Sequence, residues 1–171
     1  MSSSAEMKKD FIERIEAHPG ILYKICRLYS NDQEDFQDLR QEILYQLWKS
    51  FPHYKGTSAF STWMYRIALN TALMKLRSAD KKNIMMSYND DSPILLGESV
   101  HTQIEEVELL YLCIKELNQI ERAIILLKLE GYNYQEISDL SGISPGNVSV
   151  RLVRIKDRLK ESLKKKGYKG E

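Results

Sequence analysis

Cysteine is scarce in this chain: Cys26 and Cys113 are the two among 171 residues, and neither sits at metal-ligand spacing. A disulfide framework and a zinc site are therefore not expected, and both side chains read as core thiols in a reducing cytosol. No apolar run approaches membrane-spanning length, and the opening MSSSAEMKKD lacks an apolar signal core. The expectation is a cytoplasmic protein with no direct membrane insertion. No convincing strand alternation occurs, nor any internal repeat or low-complexity tract. No phosphate-cradling glycine loop, metal cluster or nucleophile–base pair can be assembled, so neither enzymatic chemistry nor a cofactor is expected. His18, His53 and His101 have no partners at catalytic or ligand spacing.

Net charge is also low, at +1, which by itself argues against a nucleic-acid binder. The sum hides an uneven distribution. Residues 1–78 hold 11 basic and 9 acidic side chains, residues 79–110 hold 2 and 7, and residues 111–171 hold 12 and 8. Two mildly basic ends flank an acidic middle. With 29% charged residues and an aliphatic-rich remainder, the composition is that of a globular chain rather than a disordered one.

What the chain does have is helical periodicity nearly throughout. Phe11, Ile12 and Ile15 predict a first helix ending near His18-Pro19-Gly20, and Ile21 to Tyr29 a second. Phe36, Leu39, Ile43, Leu47 and Phe51 mark a third from about Asp32 to Ser50, its stripe widened by Leu44 and Trp48. FPHYKGTSAF breaks the pattern as a polar-aromatic loop. A fourth helix runs from near Ser61 to about Ser78, burying Met64, Ile67, Ala68 and Leu73. Periodicity then lapses and returns for helices at about 103–117 and 119–130. The predicted fold is all-α: two small helical domains, 1–79 and 103–171, joined by a flexible acidic linker over 80–102.

Residues 134–158, YQEISDLSGISPGNVSVRLVRIKDR, read as a helix-turn-helix within the second domain. Ile137 and Leu140 face inward from a short helix. Gly142 can take the positive φ that the turn requires. Ser144 stands as N-cap with Pro145 at the first helical position. Val148, Leu152, Ile155 and Leu159 form the buried stripe of the longer helix. Asn147, Ser149, Arg151, Arg154 and Arg158 are left on its other face, where a DNA major groove could receive them.

In the first domain, DLRQEILYQLWKSF presents Asp38, Gln41, Glu42 and Tyr45 opposite its apolar stripe, and SAFSTWMYRIALNTALMKLR carries Trp63, Tyr65, Arg66, Asn70, Lys75 and Arg77 on one helix. With the helix-turn-helix and the linker, these stretches resemble the extracytoplasmic-function class of bacterial sigma factors, from about Phe11 to Lys166. The resemblance implies a promoter-specificity subunit for core RNA polymerase. The first domain would recognise the minus-ten element and the second would read the minus-thirty-five element as duplex. The linker would thread toward the polymerase active centre and RNA exit path.

Residue roles follow from the same resemblance. Tyr54, Lys55 and Gly56 with Asn70 match the positions that form the pocket for an extruded non-template base. Such a base costs a few kcal/mol to unstack, which aromatic platforms, base-edge hydrogen bonds and positive charge can offset. Asn70 both donates and accepts, suiting a free Watson–Crick edge. Arg66, Lys75 and Arg77 would hold phosphates. Trp63 belongs to the same set, although it and Trp48 read as core residues before they read as base platforms. Asp38, Gln41, Glu42 and Tyr45 would otherwise be a solvated face; the family uses these positions to grip the clamp helices of the largest polymerase subunit, while the second domain meets the flap of the second largest. An anti-sigma partner is also implied.

In the second domain the family's base-reading positions fall on Ser149, Val150 and Val153, with Arg151 and Arg154 on phosphates or, for Arg151, a guanine edge. A basic residue is usual at 149 and a larger one at 153. Serine and valine form no bidentate base pair, so readout is expected to lean on methyl contacts and DNA shape. Asn118-Gln119 stands where a proline is common, and Asn118 can cap the next helix instead. Lys156, Lys160, Lys164, Lys165 and Lys166 extend the last helix as a basic tail. An alternative reading is a free-standing helix-turn-helix regulator on duplex operators, with a sensor or dimerisation bundle in front. STWMYRIALN argues against it by mixing aromatics with base-edge polar groups.

Overall fold

A computed structural model of the chain describes residues 3–82 and 103–168, which form two helical units. The first contains α1 (Ser4–Glu16), α2 (Pro19–Tyr29), α3 (Gln33–Ser50), a 3-10 turn (Phe51–His53) and α4 (Phe60–Lys82). The second contains α5 (Gln103–Lys115), α6 (Gln119–Leu129), α7 (Tyr134–Ser141) and α8 (Pro145–Lys165). No strand occurs among the described residues.

In the first unit α2, α3 and α4 pack on one another through Ile25, Leu28, Leu39, Ile43, Leu47, Met64, Ala68 and Leu69, all essentially inaccessible. Asp32 caps α3 by accepting the Asp35 N–H at 2.8 Å, which satisfies one of the helix's orphan donors. The aromatic edge of Phe11 joins α1 to the bundle, 5.1 Å from the Trp48 ring and 5.2 Å from Phe51. Ile12 is 41% exposed: α1 touches its neighbours along one narrow edge, and Phe11 is its one buried residue. Cys26 lies in this core, where burial pushes its thiol up to about 12, so it behaves as a small protonated hydrophobe.

The fourth helix does not stop near Ser78. RSADKK contains neither glycine nor proline, and α4 continues to Lys82. The first residues of the expected 80–102 linker are thus helical, and the rest of it, from residue 83, lies outside the described residues.

The second unit closes over Cys113, Ile114, Ile124, Leu127, Ile137, Val148, Leu152 and Ile155. Asn118 caps α6 as expected, and a reciprocal bond from its own N–H to Glu121 completes a capping box. Asn133 and Glu136 repeat that device at the start of α7. Gly142 ends α7 at φ +75°, its N–H donating to the Ser138 carbonyl at 2.9 Å. A side chain there would meet the left-handed penalty of about 1–2 kcal/mol. Ser144 occupies the N-cap position of α8, but its side chain makes no capping bond.

Candidate nucleic-acid and polymerase interfaces

Arg66, Asn70 and Arg77 are exposed on α4 and, at ~100° per residue, fall on one narrow stripe. Above them the chain gathers aromatic rings. Tyr54 lies 5.1 Å from Trp63 and 5.5 Å from Phe60, and Phe60 lies 5.1 Å from Trp63. Trp63 is half-buried in this cluster. The Tyr54 hydroxyl donates to the Ser58 carbonyl at 2.7 Å, closing the loop, while Lys55 and Gly56 form its exposed tip. Gly56 adopts φ +68°, a conformation that glycine takes without steric cost.

Two clefts divide the front-unit residues singled out from the sequence. One of about 910 Å³ runs between α3 and α4 and is lined by Asp38, Gln41, Glu42 and Tyr45 on one wall and by Asn70, Met74 and Lys75 on the other. Tyr45 and Met74 are 57% and 66% exposed there. The other, of about 780 Å³, is lined by Tyr54, Lys55 and Gly56 together with Glu6, Asp10 and Arg14 of α1. Asn70 and the 54–56 loop, expected to share a pocket, line separate clefts.

Lys75 departs from its expected role. Its ammonium pairs with Asp35 at 2.8 Å, because it stands on the far side of α4 from Arg66 and faces the start of α3. It is a tie between helices, not a free cation on the Arg66–Asn70–Arg77 stripe.

On α8, Asn147, Val150, Val153 and Arg154 are exposed, opposite the buried Val148, Leu152, Ile155 and Leu159. Val150 is 51% and Val153 62% exposed. Ser149 and Arg151 flank this face and are half-buried. Arg158, on the same helix and half exposed, also has a partner within the unit. One of its Nη atoms donates to both carboxylate oxygens of Glu121, at 3.0 and 2.8 Å, so it fastens α8 to α6. Glu121 is 9% exposed, and a carboxylate so placed requires such a partner. Farther along, Glu116 accepts from Lys166 at 2.6 Å and from the Ser162 hydroxyl at 2.5 Å. Those bonds, the one from Lys166 first, hold its carboxyl below the usual range.

Two family descriptions match this sequence in chain order: Sigma-70 region 2 over residues 14–82, and Sigma-70, region 4 over residues 108–159. Each falls within one of the two units. The RNA polymerase sigma-H factor of Pseudomonas aeruginosa is 26% identical over 147 residues, covering 79% of this chain and 76% of that protein. The ECF RNA polymerase sigma-E factor of Escherichia coli is 27% identical over 151 residues, covering 80% and 79%. The chain belongs to the extracytoplasmic-function sigma factors of the sigma-70 family. As a sigma factor it directs promoter-specific transcription initiation by RNA polymerase and is not itself an enzyme. Its fold is shared with the sigma factor RpoE from Bartonella quintana, solved in complex with the anti-sigma factor NepR, at a TM-score of 0.76 and 21% identity over 91% of this chain and 98% of that one. Among the described residues of this sigma factor, no helix is long and apolar enough to cross a membrane.

Sequence reasoning missed four residues of these surfaces. Met74 follows the buried stripe of α4 closely enough to pass for core. Glu121 was legible as a capping residue at best. Arg14 and Asp10 are an ordinary i, i+4 pair on paper, and only the fold brings them to Tyr54.

Proposed function

We propose that the two units divide promoter reading between unpaired and paired DNA. In this reading Arg66 and Arg77 neutralise backbone phosphates of the minus-ten strand, Asn70 meets a base edge, and Tyr54, Lys55 and Gly56 receive an extruded base. Trp63 supports the loop from beneath and does not stack on DNA. Asp38, Gln41, Glu42 and Tyr45 dock on the clamp helices of the largest polymerase subunit, and the second unit docks on the flap of the second largest. Asn147, Val150, Val153 and Arg154 enter the major groove of the minus-thirty-five duplex, flanked by Ser149 and Arg151.

The observation that carries this reading is the exposed Arg66–Asn70–Arg77 stripe, which runs beside a cleft whose opposite wall is acidic and aromatic. Cations and a bifunctional amide suit melted DNA, and exposed carboxylates beside an exposed tyrosine suit a basic protein surface. Cytoplasmic residence follows from work on core polymerase. An anti-sigma factor is the proposed regulator, by likeness to the RpoE solved with NepR.

Reconstitution tests the whole. Purified core polymerase and this chain, mixed on templates carrying randomised upstream DNA, are expected to enrich two short elements and start RNA at a fixed distance from them. Tight binding to duplex by the chain alone, with no specific initiation on adding polymerase, would favour the free-standing regulator.

A further inference from the structure

The base-receiving loop has little packing of its own at its tip. A Cβ built on Gly56 meets nothing within 4 Å, and Lys55 is exposed. The loop is held through Tyr54, whose N–H donates to the Phe51 carbonyl at 3.0 Å and whose hydroxyl reaches the Ser58 carbonyl. Trp63 and Phe60 pack against the Tyr54 ring. A further support comes from α1. The Arg14 guanidinium carbon lies 6.0 Å from the centre of the Tyr54 ring and 5.7 Å from that of Phe60. Its Nε donates to Asp10 at 2.8 Å.

The same helix supplies its own contrast. Lys9 and Glu13 form another i, i+4 pair, at 3.8 Å, with both side chains mostly in water. Such a pair contributes a few tenths of a kcal/mol and no geometry. Arg14 instead has one neighbour that fixes its orientation and two rings that receive it, an arrangement in which a planar cation adds attraction to each ring.

We infer that Arg14, oriented by Asp10 against Tyr54 and Phe60, is a positioning residue that fixes the Tyr54–Ser58 loop and thereby sets which base the minus-ten element must offer. The inference rests on the assignment of that loop to base capture. It makes α1 part of promoter selectivity without giving it a contact to DNA. Asp10 matters through Arg14, and Lys9 does not matter.

The test uses holoenzyme reconstituted with the full chain on a promoter enriched as above, with each of the four bases at the extruded position. A second template carries 2-aminopurine there, whose fluorescence rises when the base leaves the stack. Arg14→Met keeps the apolar stem and removes the charge. It is expected to lower discrimination between the preferred base and the others about three- to tenfold, as loss of two ring contacts allows. Arg14→Lys, which keeps the charge but loses the planar group and the Nε bond to Asp10, should recover only part of that ratio. Asp10→Asn should give a smaller loss than Arg14→Met, and Lys9→Ala none. Upstream-element selectivity and the thermal midpoint of the free chain should stay unchanged. The inference is overturned if Arg14→Met leaves the base ratio and the fluorescence change intact. It is also overturned if every step falls together with the thermal midpoint, since Arg14 would then only stabilise the fold. Tyr54→Ala in parallel separates the two levels: if that variant also leaves the base ratio unchanged, the loop assignment itself has failed.

Discussion

The two long helices α4 and α8 each bury one stripe, but the stripes they leave exposed differ in chemistry. That of α4 carries Arg66, Asn70 and Arg77 below an aromatic cluster, groups that hydrogen-bond and neutralise. That of α8 centres on Val150 and Val153, with Asn147 and Arg154 beside them. A Watson–Crick edge is available to an amide only after the pair has opened, whereas a thymine methyl is the one apolar feature that an intact major groove offers. The comparison separates a stripe of hydrogen-bonding and cationic groups, which fits the proposed contact with opened base pairs, from one with an apolar centre, which fits the proposed contact with thymine methyl groups.

The sharpest way to break this comparison is Asn70→Ala. On an enriched promoter it should cut open-complex formation roughly ten- to a hundredfold, the scale of about 1–3 kcal/mol for a base-edge contact. Core binding, measured by holoenzyme assembly, should hold. An equal fall in assembly would reassign Asn70 to docking, because it lines the same cleft as Asp38 and Tyr45.

Arg158→Ala separates an internal tie from a DNA contact. It leaves the buried Glu121 carboxylate without its bidentate partner, so the second unit should lose about 1–3 kcal/mol in denaturant unfolding. If stability holds and upstream DNA affinity drops instead, the arginine reaches phosphate after all. A smaller effect tests the valines. Replacing each upstream thymine by deoxyuridine removes one methyl group and should weaken holoenzyme binding about fourfold at the positions read, the size of one buried methylene. Val153→Ala should erase that difference at one position and spare the rest.

The smallest expected effect is on pH dependence. Glu116 is held below the usual carboxylate range by Lys166 and Ser162, so its contribution is fully present above its unfolded value and fades as the pH drops through the folded one. Amide exchange near residues 162–166 should accelerate selectively in acid, below the ordinary carboxylate range, with little change near neutrality. Uniform exchange along α8 across that window would contradict this.

Much of the fold was legible because local rules and the final packing agree. Asp32 and Asn118 make the caps that their side chains favour, Gly142 makes the turn that its lack of a side chain permits, and periodicity located each helix. The departures arise where a tertiary partner decides. Nothing local distinguishes Lys75 from Arg77 as a cation, yet helix geometry turns one toward Asp35. Arg158 gives no local sign of the partner that α6 supplies in Glu121. The extension of α4 past Ser78 lacked any stop signal to read, and the composition of the next stretch drew the boundary too early. The site's residue types were readable; which of them share a cleft required the fold.

Glu121 completes a capping box with Asn118 and grips Arg158 from the same carboxylate. The tilt of α8 against α6 is therefore set in part by a residue outside the proposed groove-facing set. Promoter preference could drift through changes at 121 or its neighbours while every groove-facing side chain stays the same, so comparing only those side chains between relatives would overlook one source of divergence.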